Sequence, residues 1–181
     1  TEVVAAPATF QGYIRPDGRV GTRNYIGILT SVNCSATVAR YIGDAVEKEL
    51  IATYPNVDGV VSLVHGTGCG MADTGDGYAN LQRTLWGYAG HPNFGGILMV
   101  GLGCEVNQID FLLEAYGIER GPRFQTMTIQ DAGGTRRAVE HGAALIREML
   151  PAVNDVARVS RPASDLTLAL QCGGSDAYSG I

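Results

Sequence analysis

The chain has 181 residues, 45% of them apolar, which suits one folded domain of ordinary size and excludes an intrinsically disordered segment. A net charge of −5 excludes a nucleic-acid-binding module, which needs a basic face, and Lys48, the single lysine, leaves no plausible Schiff-base residue. No apolar run approaches the roughly 18 residues of a membrane span and no signal-peptide pattern opens the chain, so a cytoplasmic protein is expected.

Residues 1–9 are Ala-rich and read as a linker or tail, leaving residues 10–181 as a single domain. Pro16-Asp17-Gly18 is a turn signal between residues able to pair as a short hairpin. Strands and helices then alternate. Tyr25–Val32 is apolar and β-branched, a buried strand, and Ser35–Tyr54 follows as a helix with Val38, Ile42, Val46 and Leu50 four apart. Gly59–Val64, Gly96–Leu102 and Phe124–Ile129 are further strands. Helices are expected over Asp76–Gly90, over Val106–Tyr116 closed by Gly117, and over Thr135–Leu150 ended by Pro151. Leu166-Thr-Leu-Ala-Leu170 reads as a fifth strand. The fold class is therefore α/β, a mostly parallel sheet of about five strands with helices on both faces, in a Rossmann-like three-layer arrangement. Ligands of such folds bind at the carboxyl ends of the strands.

Cys34, Cys69, Cys104 and Cys172 each fall at or just past the carboxyl end of a predicted strand, at separations of 35, 35 and 68 residues. The recurrence follows the βα unit, so the thiols are expected to converge on one edge of the sheet. Free cysteines are also small buried hydrophobes, which is the plainer reading of any one of them. Nothing suggests export, which argues against disulfides, and local C-x-x-C pairs of a structural zinc site are missing. Clustered thiolates suit a soft or borderline metal such as iron, as a single ion or an iron-sulfur cluster.

His65, the one histidine at a strand end, is a candidate metal ligand or general base, the alternative being a histidine that bonds loop carbonyls. Glu105, beside Cys104, is a second candidate base or a helix-start residue. His91 and His141 read as structural. Arg15, Arg19 and Arg23 surround the hairpin, and Arg23 is the one placed as a candidate for carboxylate recognition. The glycines of Gly101-Leu-Gly103 do not make a dinucleotide fingerprint, since Val106 stands where a third glycine belongs. They leave open a non-catalytic Rossmann-like domain binding anions or nucleotides.

Several of these stretches resemble the altronate dehydratase and galactarate dehydratase family. They are Asp17-Gly-Arg-Val-Gly-Thr-Arg-Asn24, Ser31-Val-Asn-Cys-Ser-Ala36, His65-Gly-Thr-Gly-Cys-Gly70, Gly101-Leu-Gly-Cys-Glu-Val-Asn-Gln108 and Leu170-Gln-Cys-Gly-Gly-Ser-Asp176. The resemblance implies a hydro-lyase that converts an aldonate or aldarate to a 2-keto-3-deoxy acid with ferrous iron, or sometimes manganese. A related branch, sulfolactate sulfo-lyase, expels sulfite instead. It also implies further N- and C-terminal domains, so this chain is expected to be a central fragment, inactive alone. The low charged fraction of 17% agrees with surface covered by such domains or by a second copy in a homo-oligomer. Within the same loops Asn33, Thr67, Gln108, Ser175 and Asp176 are polar groups fit to hold the hydroxyls of a sugar acid, with Cys34, Cys69, Cys104 and Cys172 as metal ligands and His65 and Glu105 as catalytic groups.

Overall fold

The computed structural model describes residues 7–170. Cys172, Ser175 and Asp176 lie outside the described residues. The expected hairpin is present: β1 (Thr9–Ile14) pairs antiparallel with β2 (Val20–Gly21). In the turn between them Gly18 adopts φ 85° and its N–H donates to Arg15 O. That conformation is open to glycine without a Cβ penalty.

The main sheet is parallel and holds four strands in the order β4-β3-β5-β6, formed by Tyr25–Thr30 (β3), Gly59–Leu63 (β4), Phe94–Gly101 (β5) and Phe124–Thr128 (β6). The central strands are apolar on both faces because both faces are covered. Ile26, Ile28, Leu98 and Val100 pack beneath α1 (Ala36–Thr53) and α4 (Thr135–Asn154), together with Ile42, Val46, Ile146 and Met149. Leu29, Ile97 and Met99 point the other way, onto Leu85 of α2 (Asp76–Ala89) and Leu112 and Leu113 of α3 (Ile109–Tyr116). Gly142 lets α4 approach α1, since a Cβ there would lie 2.3 Å from Ile42 Cδ1. The three-layer α/β expectation is met. Among the described residues no helix is long and apolar enough to cross a membrane.

Two expectations need correction. The helix expected to stop at Pro151 runs on to Asn154. Proline lacks a backbone N–H to donate, but the carbonyls beyond it are taken up from outside the helix. Arg123 donates to Ala152 O, Asn24 to Val153 O and Asn56 to Asn154 O, and Val153 is fully buried. Among the described residues the parallel sheet also has four strands, where about five were expected. After α4 the chain is captured as β7 (Val159–Pro162), which pairs antiparallel with β1 in a second sheet of order β2-β1-β7. Leu166–Leu170 then carries no strand, with Leu168 80% exposed. Its alternation of leucine with Thr and Ala is a strand pattern without a partner strand among the described residues.

The strand order places a topological switch point between β3 and β5: the chain steps outward from β3 to β4, then crosses back to β5. The crevice outside the carboxyl ends of β3 and β5 is where a fold of this kind receives its ligand.

Candidate active site at the carboxyl edge

Three loops leave the carboxyl ends of β3, β4 and β5, and each carries one cysteine. Cys34 follows β3, Cys69 follows β4 and Cys104 follows β5; all three are free and exposed. The first two loops are stitched together by Asn33 N–H, which donates to Thr67 O at 2.8 Å. Gly68, at φ 99°, presses on the first loop, where a Cβ would lie 3.0 Å from Val32 Cα. The thiols sense one another as a result. Desolvation first, then the hydrogen bond with the Cys69 thiol and the charges of Cys69 and Cys104, push the Cys34 thiol above its ordinary range. The three cysteines thus share the carboxyl edge of neighbouring strands, as the spacing in the sequence suggests. Among the described residues, however, no three His, Cys, Asp or Glu side chains close into a set that could hold a metal ion. Thiols are the right donors for iron, but the described ones do not complete a site.

His65 stands at the end of β4, half-buried, with Nε2 2.8 Å from Thr30 O. A carbonyl oxygen only accepts, so Nε2 carries the proton and Nδ1 keeps its lone pair. Nδ1 faces Thr67, whose N–H and Oγ1 each lie 3.3 Å away. The imidazole is thus a bonded loop histidine whose Nδ1 is turned toward the exposed Thr67.

Glu105 is buried, and both its oxygens are engaged. Oε1 accepts from Ser31 Oγ at 2.5 Å and from Leu102 N–H at 3.1 Å, and Oε2 accepts from Gly103 N–H at 2.6 Å. The helix expected from Val106 starts only at Ile109, because residues 105–108 form this folded loop, with Gln108 Nε2 donating back to Gly103 O and Glu105 O. Gln108 is therefore a brace within its own loop. Asn33 and Thr67 are exposed at the edge.

Arg23 is not brought to this edge. It precedes β3, so it sits at the amino end of the sheet, where Nη1 lies 3.4 Å from Asp58 Oδ1. Its place before rather than after a strand was the sign that it belongs to the opposite edge. Arg15 is at that end too, buried, donating to Pro92 O and Arg23 O, and burial lowers its pKa. Ser31 and Asn107 were not singled out from the sequence. Both are buried at the switch point, and Asn107 Nδ2 donates to Ser31 O at 3.3 Å. Two consecutive polar residues, Thr30 and Ser31, ending an apolar strand were the available signal.

Two cavities border the edge. A volume of about 450 Å³ between β4 and α2 touches His65 and Thr67, but its walls are chiefly apolar, among them Leu29, Leu63, Leu81 and Leu85. A recess of about 160 Å³ beyond the Glu105 loop is polar, walled by Gln108, Arg120, Thr128 and Asp131.

Residues 12–154 match the family described as D-galactarate dehydratase/Altronate hydrolase, second domain. The chain belongs to this family. It is 40% identical to galactarate dehydratase (L-threo-forming) of Escherichia coli (strain K12) and 34% identical to altronate dehydratase of Bacillus subtilis (strain 168), each match covering 96% of the chain. It spans about a third of the length of these relatives, 34% in both cases. It is also 26% identical, over 95% of its length, to the β subunit of (2R)-sulfolactate sulfo-lyase of Chromohalobacter salexigens, strain 1H11.

Proposed function

We propose that this chain supplies the carboxyl-edge site of a sugar-acid dehydratase, which converts an aldonate or aldarate such as altronate or galactarate to a 2-keto-3-deoxy acid. One observation carries the reading: in a chain of this family, three thiols and a histidine whose Nδ1 faces Thr67 stand on one edge of the sheet, beside the switch point.

The reaction removes the proton α to a carboxylate and expels hydroxide from the neighbouring carbon; the enol formed then becomes the keto acid. His65 accepts the proton at Nδ1, and the Thr30 carbonyl holds the other ring nitrogen protonated and steadies the imidazolium. Thr67, beside that nitrogen, orients a substrate hydroxyl, and Asn33 adds a second polar contact from the neighbouring loop. The same role is proposed for Ser175 and Asp176, on the family motif alone.

Iron, with manganese as an alternative, belongs to the proposal for the protein at full length. Cys34, Cys69 and Cys104 contribute thiol donors there and Cys172 a fourth, while the described residues do not close a site alone. No step above depends on it. The regions matched by the rest of the relatives' length supply the remaining walls of the site, and the exposed free thiols suit a reducing cytoplasm.

A second reading rests on the match to the sulfo-lyase subunit, in which sulfite leaves instead of water. The full-length protein, purified without oxygen, is incubated with altronate, galactarate and (2R)-sulfolactate. Keto acid from a sugar acid is the expected product. Sulfite from sulfolactate alone, or binding of sugar acids without turnover, contradicts the dehydratase reading.

A further inference from the structure

Glu105 stands beside Cys104, and Ser31 lies three residues before Cys34. Their hydrogen bond, Ser31 Oγ to Glu105 Oε1 at 2.5 Å, therefore joins the two cysteine-bearing loops on either side of the switch point. Asn107 adds a second tie between the same loops through Ser31 O. The backbone makes room for this arrangement. A Cβ on Gly101 would lie 2.5 Å from Glu105 Oε1 and 3.1 Å from Ser31 Oγ, so the last residue of β5 has to be glycine for the carboxylate to lie where it does. The Leu102 and Gly103 amides donate to the same carboxylate, one to each oxygen.

A general base must come within hydrogen-bond reach of the proton it removes, which needs access to the substrate. This carboxylate is 6% exposed, and three of its roughly four lone-pair sites accept hydrogen bonds from its own chain, which hold it inside the loop. We propose that Glu105 is a positioning residue: it clamps the β3–α1 and β5–α3 loops together through Ser31 and so fixes where Cys34 and Cys104 stand, while the proton is taken elsewhere. The kinetic part of this inference rests on the dehydratase reading; the effect on the thiols does not.

The test uses the full-length protein with Glu105→Gln and Ser31→Ala. Ser31→Ala removes a single hydrogen-bonding atom and keeps the clamp falsifiable where Glu105→Gln fails to fold. Alkylation by N-ethylmaleimide is followed at each cysteine by mass spectrometry. The clamp requires Cys104 to react at least threefold faster in either variant, with Cys69 unchanged. In parallel, exchange of the substrate α-hydrogen with solvent is followed against pH. The clamp requires a comparable loss in both variants, about tenfold, with the wild-type pH profile retained. Unchanged Cys104 reactivity overturns the proposal. So does loss of exchange of a thousandfold or more in Glu105→Gln with near-normal exchange in Ser31→Ala, which would make Glu105 the base. A wild-type protein that acts on no sugar acid refutes the dehydratase reading instead, and the alkylation rates still decide the clamp.

Discussion

The imidazole of His65 is anchored by Nε2 to the carbonyl oxygen of Thr30, 2.8 Å away, so the end of β4 is tied to the end of the adjacent β3. The bond fixes the tautomer and leaves Nδ1 as the basic atom, next to Thr67.

Replacing His65 by Ala should lower exchange of the substrate α-hydrogen by about 10²–10⁴-fold, the usual contribution of a positioned acid–base group. Exchange is read by deuterium incorporation into recovered substrate, separately from dehydration. A variant that exchanges at the wild-type rate removes His65 from the role of base.

Gly68→Ala tests the contact between the first two loops. The residue needs φ 99°, and its added Cβ would meet the backbone of Val32, so strain of about 1–3 kcal/mol is expected. Diamide, which takes up the two thiol hydrogens, should join Cys34 to Cys69 readily in the wild type and several-fold more slowly in the variant. Equal rates in both would show that Gly68 does not set the distance between these thiols.

At the opposite edge, Asn24 is fully buried and donates through Nδ2 to Asn56 O and Val153 O. Asn24→Ala leaves both carbonyls without that donor and should cost about 2 kcal/mol, measured by urea unfolding. A cost below about 0.5 kcal/mol would mean that the end of α4 is not held in this way.

His91 gives a pH dependence of defined sign. Desolvation, then the nearby charge of Arg19, lower its pKa below the ordinary 6.5, and neutral Nδ1 accepts from Asn93 N–H. The unfolded chain therefore binds a proton more readily than the folded one, so stability falls as pH drops through the ordinary histidine range. His91→Gln should flatten unfolding free energy against pH between about pH 7 and 5 relative to wild type. An unchanged slope would assign it to other groups.

Much of this was legible from the chain. The apolar runs 25–32, 59–64, 96–102 and 124–129 could be read as parallel strands because burial on both faces removes the polar alternation. The spacing of Cys34, Cys69 and Cys104 followed the βα repeat, so their common edge was visible before any coordinates. What escaped depends on contacts distant in sequence. The extension of α4 past Pro151 relies on Asn24, Asn56 and Arg123, and no local signal announces those donors. Leu166–Leu170 has a strand's pattern, but pairing needs a partner that pattern does not supply. The roles of Ser31 and Glu105 depend on a bond across 74 positions of sequence, and only folding reveals it.

The most direct measurement of the central claim is alkylation of the full-length protein with iodoacetamide, with and without a saturating hexonate, resolved cysteine by cysteine and matched to residual dehydration. If the carboxyl edge is the site of reaction, substrate protects Cys34, Cys69 and Cys104 together, and activity falls in step with their modification. Full alkylation of all three with undiminished turnover would contradict the account.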